Sequence, residues 1–122
     1  MPDTTVVLVG RSFRVAEIGG VPTLGSPVAD LTFAEDGRVS GCATVNRLMG
    51  SYVVEGDTLT CGPLAGTMMA GPPEAMDQEQ RLHRALGVAL TVVADGSGDR
   101  IELCTDDGVA LVLVPDDSTE LL

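Results

Sequence analysis

The sequence predicts an α+β domain: a curled antiparallel sheet, drawn as a partly open β-barrel of seven to eight strands, with one packed α-helix. Three observations carry this. Short runs of alternating apolar and polar residues recur, separated by acidic-glycine turns such as Glu35-Asp36-Gly37 and Glu55-Gly56-Asp57, which is the chemistry of antiparallel hairpins. The period changes only once, between Pro72 and Gly87, to helical spacing. One helix cannot cover both faces of so many strands, so the sheet is expected to curl and the helix to plug its concave side.

The first elements are β. Thr4 to Val9 is a β-branched run closed by Gly10, and Ser12 to Ile18 alternates with Phe13, Val15 and Glu17 on one side. Gly19 to Pro27 holds two prolines and several glycines, a composition that excludes a central strand or a helix. Val28 to Phe33 and Arg38 to Gly41 form one hairpin. Ser51 to Val54 and Thr58 to Cys61 form a second, and Gly62 to Met69 follows as an irregular apolar segment.

The helix opens at Pro72-Pro73, where a proline loses no hydrogen bond. Asp77 is an alternative N-cap with Gln80 at the capping-box position. Gly87 is the stop. At about 100° per residue, Ala75, Leu82, Leu86 and Ala89 share one face and Arg81 and Arg84 fall on the other. Ala89 to Ala94, the turn Asp95 to Asp99, and Arg100 to Cys104 make a third hairpin; Asp106-Asp107-Gly108 turns into Val109 to Val114. A single domain is expected over residues 1–122, with its core at about 12–114 and a frayed acidic tail at 115–122.

Composition excludes several functions. The formal net charge is −11, from 18 acidic and 7 basic residues, and every basic residue is an arginine. Binding to nucleic acid or to an anionic membrane surface needs clustered cations, and these arginines are scattered. No run approaches the roughly 20 apolar residues of a membrane span. Met1 to Thr5 lacks the basic start and apolar stretch of a signal peptide, so the chain as given reads as cytoplasmic; an envelope or secreted location requires that a leader has been removed. Cys42, Cys61 and Cys104 are odd in number and lack CxxC spacing, a poor framework for disulfides or zinc. They are expected as half-buried thiols, although the sequence leaves open whether two of them pair.

Candidate chemistry is sparse. His83 is the single histidine, and no nucleophile-elbow or papain-like context surrounds a serine or cysteine. Asp95-x-Ser97-x-Asp99 and Asp106-Asp107-Gly108 look a little like calcium loops, but hairpin turns demand the same residues. No catalytic residue, metal site or cofactor is assigned. Glu79 is the informative oddity: a carboxylate beside the helix's apolar stripe costs several kcal/mol unless it is bonded. Asn46, Arg47 and Thr67 are the candidate donors, and a helix–loop tie through Asn46, Thr67 and Glu79 is expected. Asn46, Arg47, Met49, Met68, Met69 and Met76 mark a candidate ligand or partner surface, since methionine-rich surfaces adapt to varied partners, although methionines more often fill gaps in an aromatic-poor core such as this one. A pocket of a few hundred Å³ lined by these side chains would favour a ligand.

The order Phe33-x-x-Asp36-Gly37-x-Val39-x-Gly41, Asn46-x-x-x-Gly50-x-Tyr52, Gly62-Pro63-Leu64-Ala65-x-Thr67-x-Met69-Ala70 and Met76-x-x-Glu79-x-x-Leu82-x-x-Ala85-Leu86 resembles the META domain, the HslJ-like family of heat-shock-inducible and lipoprotein-associated bacterial proteins. The resemblance runs from about Ser12 to Val114. It implies the same curled barrel with one helix, and a family with no established enzymatic residues, linked to stress response and the cell envelope. Two departures stand out. The family commonly has Gly-Cys-Asn where this chain has Thr44-Val45-Asn46, and cysteine where it has Gly71. Phe13 also stands at a usual Trp.

The expected function is a non-enzymatic, stress-associated binding or interaction module. Its partner would be a protein or an apolar small molecule, and the chain a monomer or weak dimer. The alternatives are a small hydrolase-like enzyme using Glu79 or His83, and a structural accessory domain. The latter would pair through a sheet edge at Thr4 to Val9 or Val109 to Val114.

Overall fold

The computed structural model describes residues 8–24, 29–94 and 100–115. From Arg11 on, the described residues form ten strands and one helix in the order β1 (Arg11–Ile18), β2 (Val21–Pro22), β3 (Asp30–Phe33), β4 (Arg38–Cys42), β5 (Arg47–Glu55), β6 (Thr58–Cys61), β7 (Ala65–Gly66), α1 (Pro73–Leu86), β8 (Leu90–Ala94), β9 (Ile101–Thr105) and β10 (Gly108–Pro115). Every pairing is antiparallel. The main path is β10-β9-β8-β6-β5-β4-β3-β1, and β1 also pairs with β10, so eight strands close a ring. The sheet thus curls further than a partly open barrel. β2 and β7 are two-residue additions, on β1 and β5 respectively.

Closure depends on β1 serving two neighbours. Arg11 to Arg14 pair with β3, and Phe13 to Ile18 pair with β10 from Pro115 back to Leu111. The β1 alternation expected from the sequence is broken on the way. Val15 faces Leu113 but Glu17 faces Val112, so Ala16 is an extra residue. This bulge turns Ile18, rather than Glu17, into the core. A matching irregularity at Ala110 separates Val109, which is exposed, from buried Leu111.

The barrel interior is filled with side chains. Phe33 meets Phe13 edge-on at 6.1 Å and Tyr52 at 5.1 Å between ring centroids. Around this aromatic trio pack Val15, Leu31, Val39, Leu48, Leu59, Val92, Ile101, Leu103, Leu111 and Leu113. The Tyr52 hydroxyl donates to the Ala34 carbonyl at 2.7 Å, so its polar end is satisfied at the rim of this apolar mass. Leu82 and Leu86 of α1 join the same cluster and seal one mouth.

Several local expectations change. Thr4 to Val7 of the first expected strand lie outside the described residues; of its described residues, Leu8 is helical and Val9 forms a turn with Gly10, so neither is strand. Pro72 occupies the N-cap position of α1 with Pro73 at its first turn, while Asp77 lies inside the helix and pairs with Arg81 at 3.1 Å instead of capping. Ala89 follows the helix and is exposed rather than sharing its buried face, a place taken by Gln78. Gly62 to Met69 is irregular as expected except at Ala65–Gly66, which pair with β5 as β7. β10 runs through Pro115, where a tail was expected to begin. Val109 to Val114 is no free edge, because β9 and β1 flank it. The turn Asp95 to Asp99, the Ser26-Pro27 end of the connector and the tail from Asp116 onward lie outside the described residues.

Candidate functional site

The polar residues that the sequence singles out converge where α1 meets the β4–β5 turn and the segment after β7. The turn spans Ala43 to Asn46, closed by the Ala43 N–H donating to the Asn46 carbonyl at 2.7 Å. Gly66 lets β7 approach: a β-carbon there would come within 2.5 Å of the Arg47 carbonyl oxygen. That close passage delivers Thr67 and Met69 to the Asn46 side chain.

Asn46 is buried, and every polar atom it owns is used. Its Nδ2 donates to Glu79 Oε2 at 2.8 Å and to the Met69 carbonyl at 2.9 Å. Its Oδ1 accepts from the Met69 N–H at 2.6 Å and the Thr67 hydroxyl at 2.8 Å. The amide thus meets Met69 as a neighbouring strand would, through one N–H and one C=O. The Asn46 N–H donates to Glu79 Oε1 at 2.7 Å, and the Val45 N–H reaches the same oxygen at 2.9 Å. Arg47, expected among the donors to Glu79, contributes only backbone, and to Thr67: its N–H donates to the Thr67 hydroxyl oxygen at 3.1 Å. Thr67 likewise bonds Asn46 and not Glu79.

Burial raises the Glu79 pKa, but the Asn46 side chain, the Asn46 and Val45 N–H groups and nearby His83 outweigh it and leave the carboxyl below its ordinary value. Such a group is a committed acceptor. It is poorly suited to general-base chemistry, which needs a raised pKa and a free oxygen.

One residue earlier on α1, Gln78 repeats the motif. Its Nε2 donates to Thr44 Oγ1 at 2.9 Å and its Oε1 accepts from the Leu24 N–H at 2.8 Å. Thr44 holds φ at +129°, a region that favours glycine, at the position where the resembling pattern commonly has glycine. Sequence reasoning missed both residues. Gln78 lies about 40° from Leu82 on the helical wheel, at the border of the apolar face, and that is its available signal; for Thr44 the signal is its place at the family's usual glycine. The two usual cysteine positions adjoin in space: a β-carbon built on Gly71 would lie 3.5 Å from the Val45 β-carbon and 2.6 Å from one of its methyls.

The methionines are placed differently from a pocket lining. Met49 points outward from β5 with 56% of its surface exposed, Met68 is 96% exposed and Met69 58%. Met76 is half-buried on α1, and Arg47 is exposed beside β7. The described cavities have other walls. One, about 710 Å³, lies between the end of α1 and the β9–β10 turn and includes Arg84, Val88, Leu90 and Cys104. Another, about 360 Å³, brings Cys61 and His83 to a common wall with Leu64 and Leu86. No hydrogen bond joins His83 to Cys61 or to Glu79 among the described residues, and burial pushes the Cys61 thiol up to about 11. All three cysteines are free and half-buried. Among the described residues no three His, Cys, Asp or Glu side chains are grouped to hold a metal ion, and no helix is long and apolar enough to cross a membrane.

The family model described as META domain matches residues 6–118. Solved structures resemble this fold. An NMR structure of a protein from Burkholderia xenovorans superposes with a TM-score of 0.70 at 24% identity, covering 93% of this chain and 86% of that one. A second NMR structure gives a TM-score of 0.73 at 21% identity, covering 94% of this chain and 96% of the other. No curated protein matches the chain.

Proposed function

The chain belongs to the META domain family, and from that premise we propose that it is a non-enzymatic, stress-associated binding or interaction module. The observation that carries the reading is the exposed methionine surface of Met49, Met68 and Met69. Large apolar side chains left in solvent on a fixed support are what a protein partner can cover. The support is β5 and β7, tied to α1 through Asn46 and Glu79. A protein partner suits these exposed side chains better than an enclosed small molecule, because the barrel interior is already filled by Phe13, Phe33, Tyr52 and their neighbours.

The rival enzyme reading has one point in its favour, the common wall of Cys61 and His83. A thiol raised by burial supplies little thiolate at neutral pH, and both Glu79 oxygens are occupied. Free cysteines, and Val45 and Gly71 in place of a thiol pair, suit a reducing compartment, so the proposal places the module in the cytoplasm.

The test is complementation in the protein's own host. A deletion strain is expected to lose survival under heat or antibiotic stress, and the wild-type gene to restore it. A triple variant with glutamine at positions 49, 68 and 69 should fold with an unchanged Tm and fail to restore survival. Full restoration by that variant sinks the methionine surface, and a deletion strain with no stress phenotype sinks the stress association.

A further inference from the structure

The opposite flank of α1 carries a groove that the methionine reading does not use. It is a cavity of about 420 Å³ walled by Ile18, Gly19 and Val21 of the β1–β2 turn region, Ala110 of β10, and Arg81, Arg84 and Ala85 of α1. Both strand bulges border it. Past the bulge before Glu17, Ile18 lies on the buried side, the second irregularity falls at Ala110, and the Gly19 N–H donates to the Ala110 carbonyl at 2.8 Å. The wall left between strand and helix is apolar, and two of the seven arginines in a chain of net charge −11 stand at its edge.

Arg84 is the freer of the two, while Arg81 is already ion-paired through its Nε and offers a ligand only its terminal guanidinium nitrogens. Asp77 approaches Arg81 at Nε, at 3.1 Å, without making a hydrogen bond of good geometry to it. Among the described residues the Arg84 side chain makes no ion pair or hydrogen bond, its carbonyl accepting from the Gly87 N–H at 3.2 Å, and it lies one helical turn from Arg81. Adjacent guanidiniums are suited to a carboxylate, which two forks of N–H donors can grip. The volume lies at the small end of ligand cavities, which suits a short aliphatic chain better than a ring system.

We propose that this groove binds an amphipathic carboxylate, a small acid with an unbranched aliphatic tail. The carboxylate meets Arg81 and Arg84, and the tail lies along Ile18, Val21, Ala85 and Ala110. Charge selects the ligand at one end and apolar burial holds it at the other. Neutral or cationic amphiphiles of the same length lose the first contact while keeping the second. The site is separate from the methionine surface, so either can fail without the other.

The experiment is an amide-shift NMR titration of the whole chain with sodium octanoate, octanol and octyltrimethylammonium in turn. Octanoate is expected to give saturable shifts at Ile18, Val21, Ala85 and Ala110, with the amides of Met49, Met68 and Met69 unmoved. Octanol and octyltrimethylammonium should bind roughly tenfold more weakly or worse, the size of effect that loss of a charge-assisted hydrogen bond produces. The R81Q/R84Q double variant should lose octanoate affinity by a similar roughly tenfold factor while retaining its Tm. V21D, which adds a negative charge to an exposed wall, should also weaken octanoate. Equal binding of octanoate and octanol overturns the proposal, as do shifts that do not saturate or variants that bind like wild type. Shifts at these residues that grow with protein concentration in the absence of amphiphile assign the groove to a second copy of the chain, and also overturn it. If the double variant fails to fold, the octanoate–octanol comparison on the wild type decides.

Discussion

The barrel interior and the joint at its mouth are built on opposite terms. Inside, Phe13, Phe33 and Tyr52 are surrounded by aliphatic side chains, and each apolar contact is one of many. At the joint, Asn46 and Glu79 are as buried as core residues, yet they are held by a handful of directional bonds. Burial alone therefore says little about how a position fails. An interior truncation leaves a void whose cost follows its volume, while a joint truncation leaves polar atoms without partners.

The largest expected effect tests the interior. Phe33→Ala removes the ring between Phe13 and Tyr52 and should lower unfolding free energy by about 4 kcal/mol, read by urea denaturation. That is a large share of the roughly 5–15 kcal/mol a domain has. A loss under about 1 kcal/mol would mean that the barrel collapses around the gap, and the contrast with the joint would weaken.

The next tests the joint with a covalent bond. The separation at Val45 and Gly71 lies within the 3.5–4.5 Å or so between β-carbons typical of disulfides. The V45C/G71C double variant should oxidise readily and gain about 3 kcal/mol over its reduced form, from closing a loop of about 26 residues. Gly71→Ala alone should destabilise, because its β-carbon would press on the Val45 methyls. A double variant that stays reduced in air contradicts the geometry.

The smallest effect is the most diagnostic. Glu79→Gln places an N–H₂ where an acceptor is needed and should cost about 2 kcal/mol at neutral pH. Because the folded-state pKa is depressed, the wild-type carboxylate contributes fully above its ordinary value of 4.5. That contribution is lost as pH falls through the lower folded value, so the gap between wild type and variant should narrow on acidification. A gap that is constant with pH would show that the ionised form is not what the joint requires.

Much of the fold is legible in the residues because its signals are local. The β3–β4 and β5–β6 hairpins follow from alternation and from Glu35-Asp36-Gly37 and Glu55-Gly56-Asp57, and the helix follows from a change of period between two strong punctuators. The two bulges are not legible: an extra residue such as Ala16 carries no composition of its own. Nor is the meeting of β1 with β10, which joins opposite ends of the described chain. At the joint, Glu79 stands out as a charge beside an apolar stripe. Its actual donors include the Val45 N–H, and a backbone donor has no signature in sequence. Met49, Met68 and Met69 can be read as a group but not as exposed, since the same residues could equally fill a core.

Closure through β1 and β10 has a consequence for how the protein is made. The strand that completes the ring is the last one described, so during translation β1 must wait for nearly the whole domain to leave the ribosome before its second partner exists. Contacts so distant in sequence slow folding. Until they form, the nascent chain carries an unpaired strand edge flanked by core side chains such as Val15 and Ile18, the kind of surface on which chaperones act.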